Sequence, residues 1–266
     1  MSLRLRRAGF HVAARSIVAA LDLETRPGEV LAIVGPNGAG KSTALRLLAG
    51  IVGATTGVVT SDGRPIADVP RHILARRRAL LPQDGSLRAR FTVRELATMG
   101  LAVAGAGLTA PRQARIVDAA LARTGLSAFA RRDVMTLSGG ERQRAHLARV
   151  LAQLEAGAVR DGPGILLLDE PIAAQDLARQ KLVLDLACDH ARMGGSVVVV
   201  LHDLNWAAAR ADRIVVMKRG QIHAQGPPDQ LLNAALLADV FGVRTVPAPP
   251  HAPTGRPYIL PHDLLD

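Results

Sequence analysis

The stretch Gly35-Pro36-Asn37-Gly38-Ala39-Gly40-Lys41-Ser42-Thr43 constrains this chain more than any other. It fits the pattern G-x-x-x-x-G-K-[ST], and its flanks are those the pattern needs. The apolar run Val30-Leu31-Ala32-Ile33-Val34 precedes it as a strand, and Ala44-Leu45-Arg46-Leu47-Leu48-Ala49 follows it as a helix. Strand, glycine-rich turn and helix start together make a phosphate cradle. Glycines leave the backbone N–H groups open to an anion. The helix N-terminus adds unpaired donors and a favourable dipole. Lys41 offers a point charge to the β- and γ-phosphates, and the Ser42 hydroxyl offers a hard oxygen to Mg²⁺. All nine residues of the stretch are candidate nucleotide contacts.

The rest of the chain supplies a frame for such a loop. Residues 1–34 read as β-rich, with Leu3 to Arg7 alternating weakly and Ser16 to Leu23 a candidate strand. Gly57 to Thr60 reads as a strand that turns at Ser61-Asp62-Gly63-Arg64-Pro65, and a short strand lies within Arg76 to Gln83. From Thr92 to about Ala156 the pattern turns helical, over Thr92 to Leu101, Pro111 to Thr124 and Glu141 to Glu155. Continuous apolar runs resume at Gly164 to Asp169, Ser196 to Leu201 and Arg213 to Met217, as expected of central parallel strands covered on both faces. Helices are expected between them, at Asp176 to Met193 and Asp203 to Ala211. The order predicts an α/β fold: a parallel sheet wrapped by helices, with a helical insertion. The tail from Val246 is rich in proline and is expected to be extended.

Composition narrows the partners. With 266 residues, 48% of them hydrophobic, the chain can bury a sizeable core. Aromatics are only 2%, which argues against a binder that stacks nucleic-acid bases on aromatic platforms. The net charge of +10 comes almost wholly from arginines, which are scattered rather than gathered in one block. That balance suits an acidic partner or a solvated arginine-rich surface. Cys188 is the one cysteine, so no disulfide framework or zinc site is built. The longest uncharged stretch after the N-terminal region, Leu96 to Pro111, is too short to span a bilayer. If a membrane is involved, another chain must cross it.

Two further elements carry chemistry. Ile165-Leu166-Leu167-Leu168-Asp169-Glu170-Pro171 is a buried strand that ends in two acids. Asp169 is placed to hold Mg²⁺ through water, and Glu170 to orient or deprotonate a water at the γ-phosphate. Leu137-Ser138-Gly139-Gly140-Glu141-Arg142-Gln143-Arg144 opens a helix. It reads as a second anion-binding N-terminus, and equally as an ordinary capping box of Ser138 with Glu141.

With these three elements in this order, residues 1 to about 241 resemble the ATP-binding cassette family, whose signature loop matches residues 137–144. The resemblance implies a phosphate-loop NTPase core with an antiparallel β subdomain and an inserted α-helical subdomain. The core would comprise residues 1–84 and 164–241, the helical subdomain 85–163, and the tail 242–266. Gln83 matches the family glutamine that contacts Mg²⁺ and links core to helical subdomain. His202 matches the switch histidine at the γ-phosphate, and Glu170 the catalytic glutamate. Ser138, Gly139 and Gly140 match the loop that meets ATP held by a second copy. The implied cofactors are ATP and Mg²⁺, and the implied mechanism is a head-to-tail homodimer that closes on two ATP molecules and opens on hydrolysis.

Two positions depart from the family pattern. Where it usually reads Pro-Thr-[Ser/Ala]-[Ala/Gly]-Leu-Asp, this chain has Pro171-Ile172-Ala173-Ala174-Gln175-Asp176. Asp176 is kept among the nucleotide-site residues; Ile172 and Gln175 are unusual. The adenine-stacking aromatic falls near Val12, beside Phe10 and His11.

Within the family, Leu81-Pro82-Gln83-Asp84, Phe91-Thr92-Val93-Arg94-Glu95, Leu201-His202-Asp203-Leu204-Asn205 and Phe241-Gly242-Val243 resemble importer ATPases for iron-siderophores, vitamin B12 and haem. The insertion Glu155 to Gly164 and the ending Gly255 to Pro261 look most like the haem importers. This implies an ATPase on the cytoplasmic face of a bacterial inner membrane. Its expected partners are two integral-membrane permease subunits and a periplasmic binding protein, with no nucleic acid. Leu96 to Pro111 falls where the permease's coupling helix would dock, its small residues allowing close approach; a plain glycine-containing loop is the alternative. His251 and His262, flanked by prolines, read as solvated. Other readings are ferric-siderophore or B12 import, a soluble cassette ATPase acting on nucleic acid or ribosomes, and a clamp without hydrolysis, against which Glu170 and His202 argue.

Overall fold

The computed structural model describes residues 1–13, 15–83, 89–173, 175–244 and 258–259. In chain order these form β1 (Leu3–Val12), β2 (Arg15–Glu24), β3 (Val30–Val34), α1 (Lys41–Leu48), β4 (Thr56–Ser61), β5 (Arg64–Pro65), α2 (Arg71–Arg77) and β6 (Arg78–Leu81). Then come α3 (Val93–Met99), α4 (Leu101–Ala104), α5 (Ala110–Arg123), α6 (Gly139–Asp161), β7 (Ile165–Asp169), α7 (Leu177–Arg192), β8 (Ser196–Val200), α8 (Leu204–Arg210), β9 (Arg213–Lys218) and β10 (Gln221–Gly226). The proline-rich tail, His251, His262 and Asp84 lie outside the described residues, apart from Tyr258 and Ile259.

Two compact bodies divide the chain: residues 2–67 with 198–266, and residues 68–197. In the first, β1 pairs antiparallel with both β2 and β4. The weak alternation of β1 has a physical cause. Arg7 has a positive φ of 47°, and the register shifts between Leu5 and Ala8, so Leu3, Leu5 and Ala8 all reach the core. Beside this sheet, β3 runs parallel to β9, and β10 turns back antiparallel on β9. Within the same body Leu201, just after β8, donates its N–H to the carbonyl of Ile33 at 3.1 Å. The runs β3, β7 and β8 are buried at every residue, which is why their sequences show no polar alternation.

The start of β3 is fixed from the side. Asp212 accepts the Val30 N–H through its carboxylate at 2.8 Å and donates its own N–H to the Val30 carbonyl at 2.9 Å. Next to it, Arg213 grips Glu29 with two bonds of 2.8 Å, and it also donates to the Glu24 carbonyl at 2.6 Å. Both charged side chains are nearly buried, at 12% and 11% exposure. This bidentate pair sets where the strand leading to the phosphate loop begins.

In the second body, β6 runs parallel to β7, and α6 carries the helical layer. α6 is longer than the sequence pattern suggests. It continues through Glu155 to Asp161, so most of the segment read as an insertion is two further helical turns. Ala156 and Gly157 are buried in that extension, and Asp161 at its end pairs with Arg76 at 2.7 Å. The Leu96–Pro111 segment is mostly helical rather than a loop, being divided between α3 and α4. Several of its small residues, among them the buried Ala104, serve this chain's own packing. Ala97 is fully buried, and a Cβ at Gly100 would overlap the Arg149 carbonyl of α6. Gly105 is buried against Leu101, and with the exposed Ala102 it lines an open groove of about 540 Å³ together with Arg94, Thr98 and Met99.

Removing one member of a nearly buried ion pair strands the other charge. Glu29→Ala is expected to cost about 2–4 kcal/mol of stability, read from the urea midpoint at unchanged m-value. A loss below about 0.5 kcal/mol, the range of ordinary surface changes, would show that water replaces the pair.

Candidate active site

The phosphate loop is shaped by close approach within its own body. Gly35 has φ 148°, and a Cβ there would overlap the carbonyl of Met217 on β9. Gly40 has φ 94°, and a Cβ there would press on Val18 of β2 and the Ile17 carbonyl. The Gly220 N–H closes the seat with a 3.1 Å bond to the Ala39 carbonyl. Lys41 is buried and folds back over the loop, donating to the carbonyls of Gly35 at 2.9 Å and Pro36 at 3.0 Å. An ammonium held among carbonyls is ready to exchange them for phosphate oxygens.

The helix starts differ in their caps. Thr92 caps α3, Ser138 α6, Asp176 α7 and Asp203 α8, each accepting a backbone N–H of the first turn. α1 has Gly40 at its N-cap and no side-chain cap. No N-cap side chain takes the N–H groups of its first turn, an arrangement that fits a nucleotide's phosphates. Of the three candidates for the adenine face, Phe10 is half-buried and the His11 ring lies 2.9 Å from the Thr55 hydroxyl, whereas Val12 is 55% exposed.

In the second body the acids follow β7. Asp169 is only 1% exposed. A carboxylate buried that deeply needs donors or a cation, and its chemistry fits Mg²⁺. Among the described residues there is no cluster of three or more His, Cys, Asp or Glu that could cage a metal. Glu170 has a positive φ of 51°, a strained backbone for a residue with a side chain. Gln83 donates to its carboxylate at 2.8 Å, so the structure joins two of the expected site residues directly.

The signature helix is tied to the same turn. Gln143 on α6 donates to the Glu170 carbonyl at 2.8 Å, and Gln175 donates to the Gln143 side-chain oxygen at 3.1 Å. Neither glutamine stood out in the sequence as a site residue; Gln175 was visible only as a departure from the family pattern. Ile172, the other departure, is buried. Asp176 is exposed and accepts the Arg179 N–H at 2.9 Å, so it caps α7. His202 is exposed in the first body, just ahead of α8, where Asp203 accepts the N–H groups of Asn205 and Trp206. The Asn205 side chain holds Ile259 with two bonds, of 2.9 and 2.7 Å.

The ABC transporter family profile matches residues 18–173. The chain belongs to the ABC transporter family. It is similar over nearly its whole length to proteins called hemin import ATP-binding protein HmuV. The one from Rhodopseudomonas palustris (strain ATCC BAA-98 / CGA009) is 45% identical over 264 residues, covering 99% of this chain and 96% of the relative. The one from Streptomyces coelicolor is 48% identical over 252 residues, covering 95% and 87%. Among solved structures, a metal-chelate type ABC transporter in an inward-facing conformation matches with a TM-score of 0.77 at 26% identity, covering 96% of this chain and 94% of that one. An ABC transporter ATP-binding subunit matches with a TM-score of 0.75 at 21% identity, over 87% and 92%, a likeness of fold. As an ABC ATPase the chain binds ATP and hydrolyses it to drive transport. Among the described residues no helix is long and apolar enough to cross a membrane.

The N-terminus of α6 carries a reciprocal cap. Ser138 accepts the Glu141 N–H at 3.3 Å, and Glu141 accepts the Ser138 N–H at 2.8 Å. The backbone bond from Ser138, then its hydroxyl, and more weakly Arg132 and Arg144 hold the Glu141 carboxyl below the usual range. A depressed folded value favours the charged form in the native state. Its stabilisation is complete above the ordinary glutamate value of about 4.3 and is lost as pH falls through the folded value. Wild type is therefore expected to melt above Glu141→Gln at pH 7, with the gap closing below about pH 4. A gap of constant size from neutral to acid pH would remove the charge from the cap's role.

Proposed function

We propose that this chain is the ATP-hydrolysing subunit of a bacterial haem importer. The observation that carries the substrate is the full-length likeness to hemin import ATP-binding proteins, together with a phosphate loop whose helix is left uncapped. The metal-chelate type transporter of matching fold supports the same substrate class. Haem itself is cargo that passes through a separate permease of two integral-membrane subunits, fed by a periplasmic binding protein. The chain sits peripherally on the cytoplasmic face of the inner membrane. The groove lined by Arg94, Thr98, Met99, Ala102 and Gly105 is the seat offered to the permease. Residues 85–163 act as the helical subdomain on a core of residues 1–84 and 164–241.

In this reading the chain works as a homodimer. The backbone N–H groups of Gly35 to Thr43 and the Lys41 ammonium bind and orient the phosphates of ATP, and Val12 lies against the base. Ser42, Gln83 and Asp169 hold Mg²⁺, which when bound offsets the charge that builds on the transferred phosphoryl group. Glu170 accepts the proton of the attacking water, and His202 donates to the γ-phosphate. Ser138, Gly139 and Gly140 reach the nucleotide of the second copy, with Asp176 beside the dimer seam. Each half-site lacks donors until the two copies meet, so hydrolysis waits for closure.

A general base contributes about 10²–10⁴-fold. Glu170→Gln is accordingly expected to lower kcat at least about a hundredfold, with ATP binding retained and a dimer stable enough to isolate by size-exclusion chromatography with ATP. Turnover within a few-fold of wild type would remove Glu170 from its role. The cargo is tested by ATP-dependent uptake into vesicles that carry the assembled transporter. Haem uptake is expected, with ferric siderophore and B12 near background; preference for either of these would replace haem as the substrate.

A further inference from the structure

The Glu170 turn poses a problem of support. A left-handed φ on a residue with a side chain is strained and persists only where the surroundings hold it. The carboxylate is held by Gln83. The backbone is held from α6, by the Gln143 amide on the Glu170 carbonyl at 2.8 Å. That amide is useful only if its plane is fixed, because a glutamine side chain rotates about three bonds. Gln175 fixes it. Its Nε2 donates to Gln143 Oε1 at 3.1 Å and to the Pro171 carbonyl at 2.9 Å, spanning the turn that Glu170 begins. Gln180 of α7 donates to the Gln175 backbone carbonyl at 2.9 Å, anchoring the far side.

The same side chain carries a cost. Gln175 Oε1 is buried with no hydrogen-bond partner among the described residues. A buried, unsatisfied acceptor carries a desolvation cost that an apolar side chain of similar size would not incur. On stability alone leucine is the better residue there, and leucine is what the family pattern usually has. A glutamine that makes two donor bonds while leaving its acceptor unmet contributes through what its donor fixes.

We infer that Gln175 is a positioning residue for ATP hydrolysis, acting through the Gln143 amide on the backbone of Glu170. It joins the turn after the acids to the signature helix of the same subunit, so that a displacement of α6 carries the Glu170 turn with it. The inference rests on Glu170 as the base.

The test is steady-state ATP hydrolysis by the assembled transporter with Gln175→Leu, Gln143→Leu, the double variant and Glu170→Gln. One neutral hydrogen bond is worth about tenfold in rate at most. Gln175→Leu is expected to lower kcat about five- to tenfold, to leave KM for ATP within about twofold and to keep or raise Tm. The double variant is expected to turn over no more slowly than Gln143→Leu alone, since both side chains act in one relay. Gln175→Met, which also lacks a donor, carries the same expectation should the leucine variant fail to fold. The inference is overturned if kcat is unchanged in Gln175→Leu, if only Tm falls, or if the double variant shows the product of the two single losses. Should Glu170→Gln keep its turnover, the reading of Glu170 fails and the relay falls with it. Should Glu170→Gln stop hydrolysis while Gln175→Leu matches wild type, the relay alone fails.

Discussion

The contact on which the phosphate site depends is that of the Gly35 and Gly40 backbone with its neighbours, where no side chain fits. The loop lies against the end of β9 at Met217, against Gly220 and against Ile17 and Val18 of β2. It could not lie so close with a Cβ at either glycine. The closeness turns the loop inward, places its amides at the start of α1 and lets the Lys41 ammonium rest on the carbonyls of Gly35 and Pro36. The strand that delivers the loop must then begin at a fixed point. Asp212 and the Arg213–Glu29 pair provide it, joining the first residue of β3 to the first of β9. Two strands locked at their start and touching at their end leave the loop between them little freedom. Preorganisation of this kind is what allows backbone dipoles to act on charge as it develops.

What the sequence made legible follows how local each cause is. The phosphate loop, the acids after β7 and the capping box of Ser138 with Glu141 are set by residues within a few positions of one another, and all three were readable. The buried strands were readable because full burial erases alternation. The long end of α6 was not, since Gly157 and the charges around it resemble the close of a helix. The glycine is there because α6 passes directly over the Arg76 carbonyl of α2, a neighbour some eighty positions earlier. The Gln143–Gln175 bond was hidden for a similar reason: its partners stand 32 residues apart, and neither type is rare on a surface. The sequence could show that Gln175 is unusual; only its neighbours show what it touches.

The two glycine-bearing helix starts, α1 and α6, share a dipole but differ in how their donors are used. At α1 the N-cap residue, Gly40, contributes no side-chain bond to the first turn. At α6 the Ser138 hydroxyl oxygen and the Glu141 carboxylate have already taken two. What remains for an anion there is the amides of Gly139 and Gly140, a smaller set beside a carboxylate of like charge. Yet a Cβ at Gly139 would meet nothing within 4 Å, so this chain's own packing gives no reason for glycine at that position. A glycine with open space around it makes sense if something from outside comes close. A weak anion site, sterically cleared and partly neutralised by its own cap, cannot hold a phosphate unaided. It can add to one already bound elsewhere. That asymmetry is what the proposed homodimer would use: one helix start would bind the nucleotide, and the other would recognise it once bound.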